Sequence, residues 1–154
     1  MPENAYDTVM DDNQVSENEN KTKIYSPIQV ACGTIGGPIG LIYFLHCNFS
    51  TLGNDRFKKN TLIYGGLFLL ALIIALPFLP DEISSTPFTV LYIVTAKLVA
   101  EKYQMTKSAI IESDDFEFHS NWRVFLFGIL CLIGSVLIVA GPFLILSILG
   151  VWQP

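Results

Sequence analysis

Residues 29–40 read Gln29-Val30-Ala31-Cys32-Gly33-Thr34-Ile35-Gly36-Gly37-Pro38-Ile39-Gly40 and open an apolar run that continues to Cys47. At helical spacing Gly33, Gly36, Gly37 and Gly40 fall at i, i+3, i+4 and i+7, so all four share one face, with Gln29 one turn earlier. Gly33 with Gly37 and Gly36 with Gly40 make two overlapping G-x-x-x-G pairs, a spacing that lets a second helix backbone approach closely in an apolar segment. A phosphate loop is a poor fit, because no Gly-Lys-Ser/Thr follows, no strand precedes, and the G-x-G-x-x-G order is missing. The face is expected to pack helices.

Composition points to a bilayer around that helix. Apolar residues make up 51% of the chain and charged residues 15%, against roughly 25% charged in soluble proteins. The acidity is local: Glu3, Asp7, Asp11, Asp12, Glu17 and Glu19 all precede the first basic residue, Lys21. The rest of the chain is nearly balanced, so the low pI argues for no basic partner of the apolar part. Residues 1–23, polar and acidic, cannot bury enough surface to offset chain entropy and are expected to be a disordered tail. Residues 24–154 are expected to form a single helical membrane domain. The N-terminus lacks a basic n-region, and no cleaved signal peptide is expected. Cys32, Cys47 and Cys131 have no paired spacing and read as small apolar packers.

The chain divides into four apolar stretches. Ser26 is a suitable N-cap and Pro27 suits the first helical position, giving a helix over about 27–47 that is long enough to span. Pro38 in its middle predicts a bend, with the Thr34 hydroxyl compensating for the lost hydrogen bond. The loop 48–60 carries Arg56, Lys58 and Lys59 and is expected on the cytoplasmic side. A second helix over 61–79 follows, closed by Pro77 and Pro80.

A third segment, about 87–106, is apolar at first. Then Lys97, Glu101, Gln104, Ser108 and Glu112 line one helical face, which makes it partly embedded or amphipathic. A last helix over 122–150 is framed by Trp122 and Trp152 as interfacial anchors. Gly128, Cys131 and Ser135 form a small-residue stripe along it, an internal partner for the glycine face. The expected fold is therefore an all-α integral membrane protein, a bundle of three to four membrane-embedded helices. Counting Lys and Arg favours four embedded helices with both termini outside, since Lys107 and Arg123 then join Arg56, Lys58 and Lys59 in the cytoplasm.

The motifs Tyr25-Ser26-Pro27-x-Gln29 before the glycine helix, Asn48-Phe49-x-x-Leu52-Gly53, Pro77-Phe78-Leu79-Pro80 and Ser120-Asn121-Trp122 resemble a group of small bacterial inner-membrane proteins. The resemblance covers about residues 25–125. It implies a bacterial inner-membrane location and carries over no catalytic or binding residue.

Chemistry-bearing groups are scattered. His46 and His119 have no second ligand at metal spacing, no Ser or Cys has an identifiable base, and no cofactor motif occurs. The expected function is non-enzymatic: helix–helix binding of itself or another membrane component through Gly33, Gly36, Gly37 and Gly40, as an accessory or immunity-type protein. The expected partners are the lipid bilayer and a membrane protein or a second copy, with no nucleic acid. The polar residues in or near the apolar runs are Gln29, Thr34, Lys97, Glu101 and Gln104, and of these Gln29, Thr34, Lys97 and Glu101 are the candidates for a role inside the membrane. The alternative is a small transporter or channel subunit in which Lys97 and Glu101 relay ions or protons. A third reading is a scaffold whose acidic tail recruits a basic partner.

Overall fold

The computed structural model describes residues 21–78 and 86–150. Tail residues 1–20 and Trp152 lie outside them. The glycine stretch decides the architecture, but it is not one helix. Helix α1 (Pro27–Gly33) opens with a reciprocal capping box: the Gln29 N–H donates to Ser26 Oγ at 3.2 Å and the Ser26 N–H donates to Gln29 Oε1 at 3.0 Å. A 3-10 turn, Thr34–Gly36, follows, and then helix α2 (Gly37–Thr51). Between them Gly37 stands at φ +80° and ψ −163°. Pro38 disfavours a helical conformation for the residue before it, and only glycine takes the positive φ without strain.

The expected bend is thus a reversal. The Tyr25 N–H donates to Asn48 Oδ1 at 2.9 Å, and Asn48 Nδ2 donates to the Tyr25 carbonyl at 2.7 Å, although the residues are 23 apart in sequence. In a continuous helix they would stand about 35 Å apart. Helices α1 and α2 are the two arms of an antiparallel hairpin, with the Tyr25 and Phe44 rings edge-on at 4.9 Å. The four glycines therefore do not form one continuous helix face.

The other helices wrap this hairpin. Helix α3 (Asp55–Ala75) begins earlier than expected, because the Asn54 side chain caps it by accepting the Phe57 N–H at 3.3 Å. Phe57 stacks on Phe49 at 5.4 Å, so α3 runs antiparallel to α2 and continues past the hairpin tip. Helix α4 (Thr86–Tyr103) returns, with Tyr92 against Phe68 at 5.8 Å and Tyr103 against Phe57 at 5.1 Å. Short helix α5 (Lys107–Ile111) leads to strand β2 (Phe116–Phe118). That strand pairs in parallel with β1 (Thr22–Ile24), so the end of the expected disordered tail is an ordered strand. The last helix, α6 (Asn121–Ile148), starts beside α1 and runs the length of the bundle, continuous through Pro142.

The core sits in and around the hairpin: Tyr25, Val30, Phe44, Leu45 and Phe49 pack with Ala96 and Ala100 of α4 and Val124 of α6. Among the described residues, three segments are long and apolar enough to cross a membrane: Pro27–Thr51, Asp55–Phe78 and Asn121–Ile148. The first returns to its starting level, so its two ends lie at one end of the bundle. That end also holds β1, β2 and the starts of α3 and α6, and we call it the capped end. Since α6 leads away from it, the described N- and C-terminal segments lie at opposite ends, contrary to the expected arrangement of both termini on one side.

Candidate functional site

The glycines of the hairpin divide their work. Gly33 and Gly40 let the two arms touch: the Phe44 ring lies against Gly33, and a Cβ on Gly40 would meet the Gly33 carbonyl oxygen at 2.5 Å. Gly36 and Gly37 face α6 instead, where added Cβ atoms would stand 2.5 Å from the Gly128 oxygen and 2.9 Å from Ser135 Oγ respectively. Helix α2 has no side-chain cap of its own. Ser135 supplies one from α6, accepting the Ile39 N–H at 3.3 Å and donating to the Gly36 carbonyl at 2.7 Å. Thr34 closes the other arm by donating to the Ala31 carbonyl at 2.6 Å. The glycine face is thereby occupied within the chain.

At the capped end a polar knot ties the elements together. Asn48 bridges Tyr25 and Gln104, donating to Gln104 Oε1 at 2.8 Å, and Gln104 Nε2 donates to the Leu45 carbonyl at 3.1 Å. Gln29 Nε2 donates to the His119 carbonyl at 2.6 Å and to Asn121 Oδ1 at 2.9 Å. No buried side-chain polar atom among the described residues lacks a partner. Tyr25, Ser26, Gln29, Asn48 and Asn121 all belong to the motifs that carry the resemblance, and here they meet in space. Gln104 is one of the polar residues that the sequence marks in or near the apolar runs, whereas Asn48 reads there only as a loop residue. Their pairing crosses 56 residues of sequence, and no local spacing signals it.

His119 packs on the Tyr25 ring at 4.2 Å. Burial, with Arg123 and Lys23 adding like charge and Glu117 opposing them, holds its imidazole below the ordinary value near 6.5.

Along the outer flank of the hairpin, α1 and α6 leave an apolar gutter of about 450 Å³, open sideways and lined by Ile28, Cys32, Ile35, Phe125, Ile129 and Leu132. At the capped end it adjoins a polar recess of about 400 Å³ that includes Ser26, Lys107, His119 and Ser120. The two share Ile28, Gln29 and Asn121. On the opposite flank a second apolar groove of about 460 Å³ lies among α2, α3 and α4, lined by residues such as Leu41, Phe49, Tyr64 and Phe68 and by no charged group.

Lys97 and Glu101 pair at 3.7 Å on the outward face of α4, their side chains 52% and 45% exposed. They do not face the hairpin or either arm of the polar knot. No group of three metal-ligating side chains occurs among the described residues. No family model, curated protein or solved structure matches this chain.

Proposed function

We propose that this is a non-enzymatic, multi-pass inner-membrane protein in which α3, α4 and α6 cross the bilayer around a re-entrant hairpin. In this reading the capped end is cytoplasmic, and the protein binds a membrane component along the hairpin flank. The observation that carries the proposal is the chain reversal at Gly37. With a spanning first helix, Lys21 and Lys23 would sit on the far side from Arg56, Lys58 and Lys59. With the reversal, the nine Lys and Arg residues of the chain all belong to the capped half, and the segments leading into and out of the far end carry none. The positive-inside tendency then has one solution, N-terminus in and last helix pointing out.

Helix α4, with Lys97, Glu101 and Lys102 in its 18 residues, is not one of the long apolar segments; in this reading it crosses because it returns the chain from α3 to the capped end. Lys97 lies about 9 Å along the helix from Tyr103, within reach of the interface for a long side chain. The reversal also changes how the protein meets its partners. The glycine face, occupied internally, leaves the lateral gutter as the binding surface.

Reporter fusions or impermeant thiol labelling at 55, 84, 116 and 150 test the proposal. Positions 55 and 116 are expected in the cytoplasm together with the N-terminus, and positions 84 and 150 outside. An N-terminus and a position 55 on opposite faces would sink the hairpin reading.

A further inference from the structure

We infer that the gutter between α1 and α6, with the polar recess at its mouth, holds one acyl chain and the anionic headgroup of a phospholipid from the leaflet at the capped end. The inference rests on the membrane reading above. Gutter and recess adjoin at Ile28, Gln29 and Asn121, so an apolar length meets polar side chains at one end, which matches an amphiphile. From Asn121 to Leu132 the gutter runs about 16 Å at helical rise, half of a hydrocarbon core about 30 Å thick. It ends where the hairpin tip ends, so its length is that of a single leaflet.

Size decides between a lipid chain and a partner helix. A helix about 10 Å or more across could only lie on the open side of a gutter of about 450 Å³, whereas an acyl chain fits within it.

The charge at the mouth sets the headgroup. Lys107 lines the recess. Among the described residues it is the one charged side chain in the lining of gutter or recess, while Arg123 lies over the Phe127 ring at 5.4 Å. Lys23 and Glu117 pair with each other at 3.1 Å, so their charges offset and Lys107 is left as the cation of the recess. Ser120, at the N-cap of α6, makes no capping bond, and the 28-residue helix starting there turns the positive end of its dipole on the mouth. Anionic lipids are also the ones that populate a cytoplasmic leaflet.

The test uses the full chain in phosphatidylcholine vesicles containing a phosphatidylglycerol or a phosphatidylcholine probe, each with a diazirine on one acyl chain. Adducts are mapped after irradiation. Expected are adducts concentrated on the gutter residues of α1 and α6, at least threefold more abundant with the phosphatidylglycerol probe. Equal labelling by both probes is expected in the second groove. Ile35→Trp and Ile129→Trp, at positions 62% and 41% exposed, should each cut gutter adducts about tenfold by filling the space. Lys107→Gln should abolish the headgroup preference and leave the second groove unchanged.

Equal gutter labelling by both probes, labelling that survives both tryptophans, or a gutter free of lipid adducts and crosslinked to a protein would each overturn the inference. A correct topology with even labelling refutes only the lipid site, while a wrong topology refutes the membrane reading itself.

Discussion

Segments Pro27–Thr51 and Asp55–Phe78 are 25 and 24 residues long, and each is apolar enough to cross a bilayer. In the apolar stretch of the first, 56% of residues are buried, and in that of the second, none. The order of hydropathy is the reverse of what a soluble protein would show, with 1.6 for the buried segment and 2.3 for the exposed one. In a bilayer the most apolar faces gain nothing by turning inward, because lipid is as apolar as leucine. What earns the centre is small size and hydrogen bonding. The first segment has Gly33, Gly36, Gly40 and Asn48 for that purpose, and the second has large aliphatic side chains.

The sharpest way to break this comparison is to place the same side chain in both segments. Gly36→Leu would drive a side chain into the Gly128 carbonyl and Cys131 Cβ of a helix that cannot yield. A loss of about 3 kcal/mol or more is expected, seen as absence of a monodisperse peak in mild detergent. Gly66→Leu on α3 has nothing within 4 Å and should keep the fold, with helix propensity favouring it by somewhat under 1 kcal/mol. Equal behaviour of the two variants would end the contrast between hub and rim.

Next in size is Asn48→Leu, which strands the Tyr25 N–H and carbonyl and Gln104 Oε1. About 3 kcal/mol should be lost, with faster hydrogen exchange at the Tyr25 amide. Ser135→Ala removes the cap that α6 lends to α2. Its cost should be about 1–2 kcal/mol, and the Ile39 amide should lose protection while the amides of α3 keep theirs.

The smallest expected effect is a pH dependence confined to the capped end. His119 is held below its ordinary value in the fold, so the unfolded chain binds the extra proton more readily. The stabilisation is complete above about pH 6.5 and is lost as pH falls below that value toward the folded-state pKa. Thermal unfolding from pH 7.5 to 5 should show this loss, and His119→Asn should flatten it.

Much of the helical layout was legible. Ser26 as the N-cap, the start of the first helix at Pro27 and the extent of the last helix follow from capping residues and apolar runs, which act locally. The small stripe Gly128, Cys131 and Ser135 was visible at helical spacing, and the structure sets Gly128, Cys131 and Ser135 against Gly36 and Gly37. The reversal had a local signal too, since Gly37-Pro38 is a turn dipeptide. It read as a bend because glycine spacing is the same whether a helix continues or folds back. Asn48 read as a residue at the edge of a loop, since its partners are remote in sequence.

The sequence by itself determined which stretches are apolar, where they are capped, and that all basic charge lies outside residues 79–85 and the C-terminal half of α6. Helix propensity, capping and hydropathy are properties of neighbouring residues. Only the tertiary structure decided that the first apolar stretch is a hairpin, that its glycines are used inside the chain, and that a lateral gutter beside a recess lined by Lys107 remains. Those outcomes depend on Phe44 meeting Gly33, Asn48 meeting Tyr25 and Ser135 meeting Gly36. Such contacts form only when distant segments pack, and together they outweigh the local preference for one continuous helix.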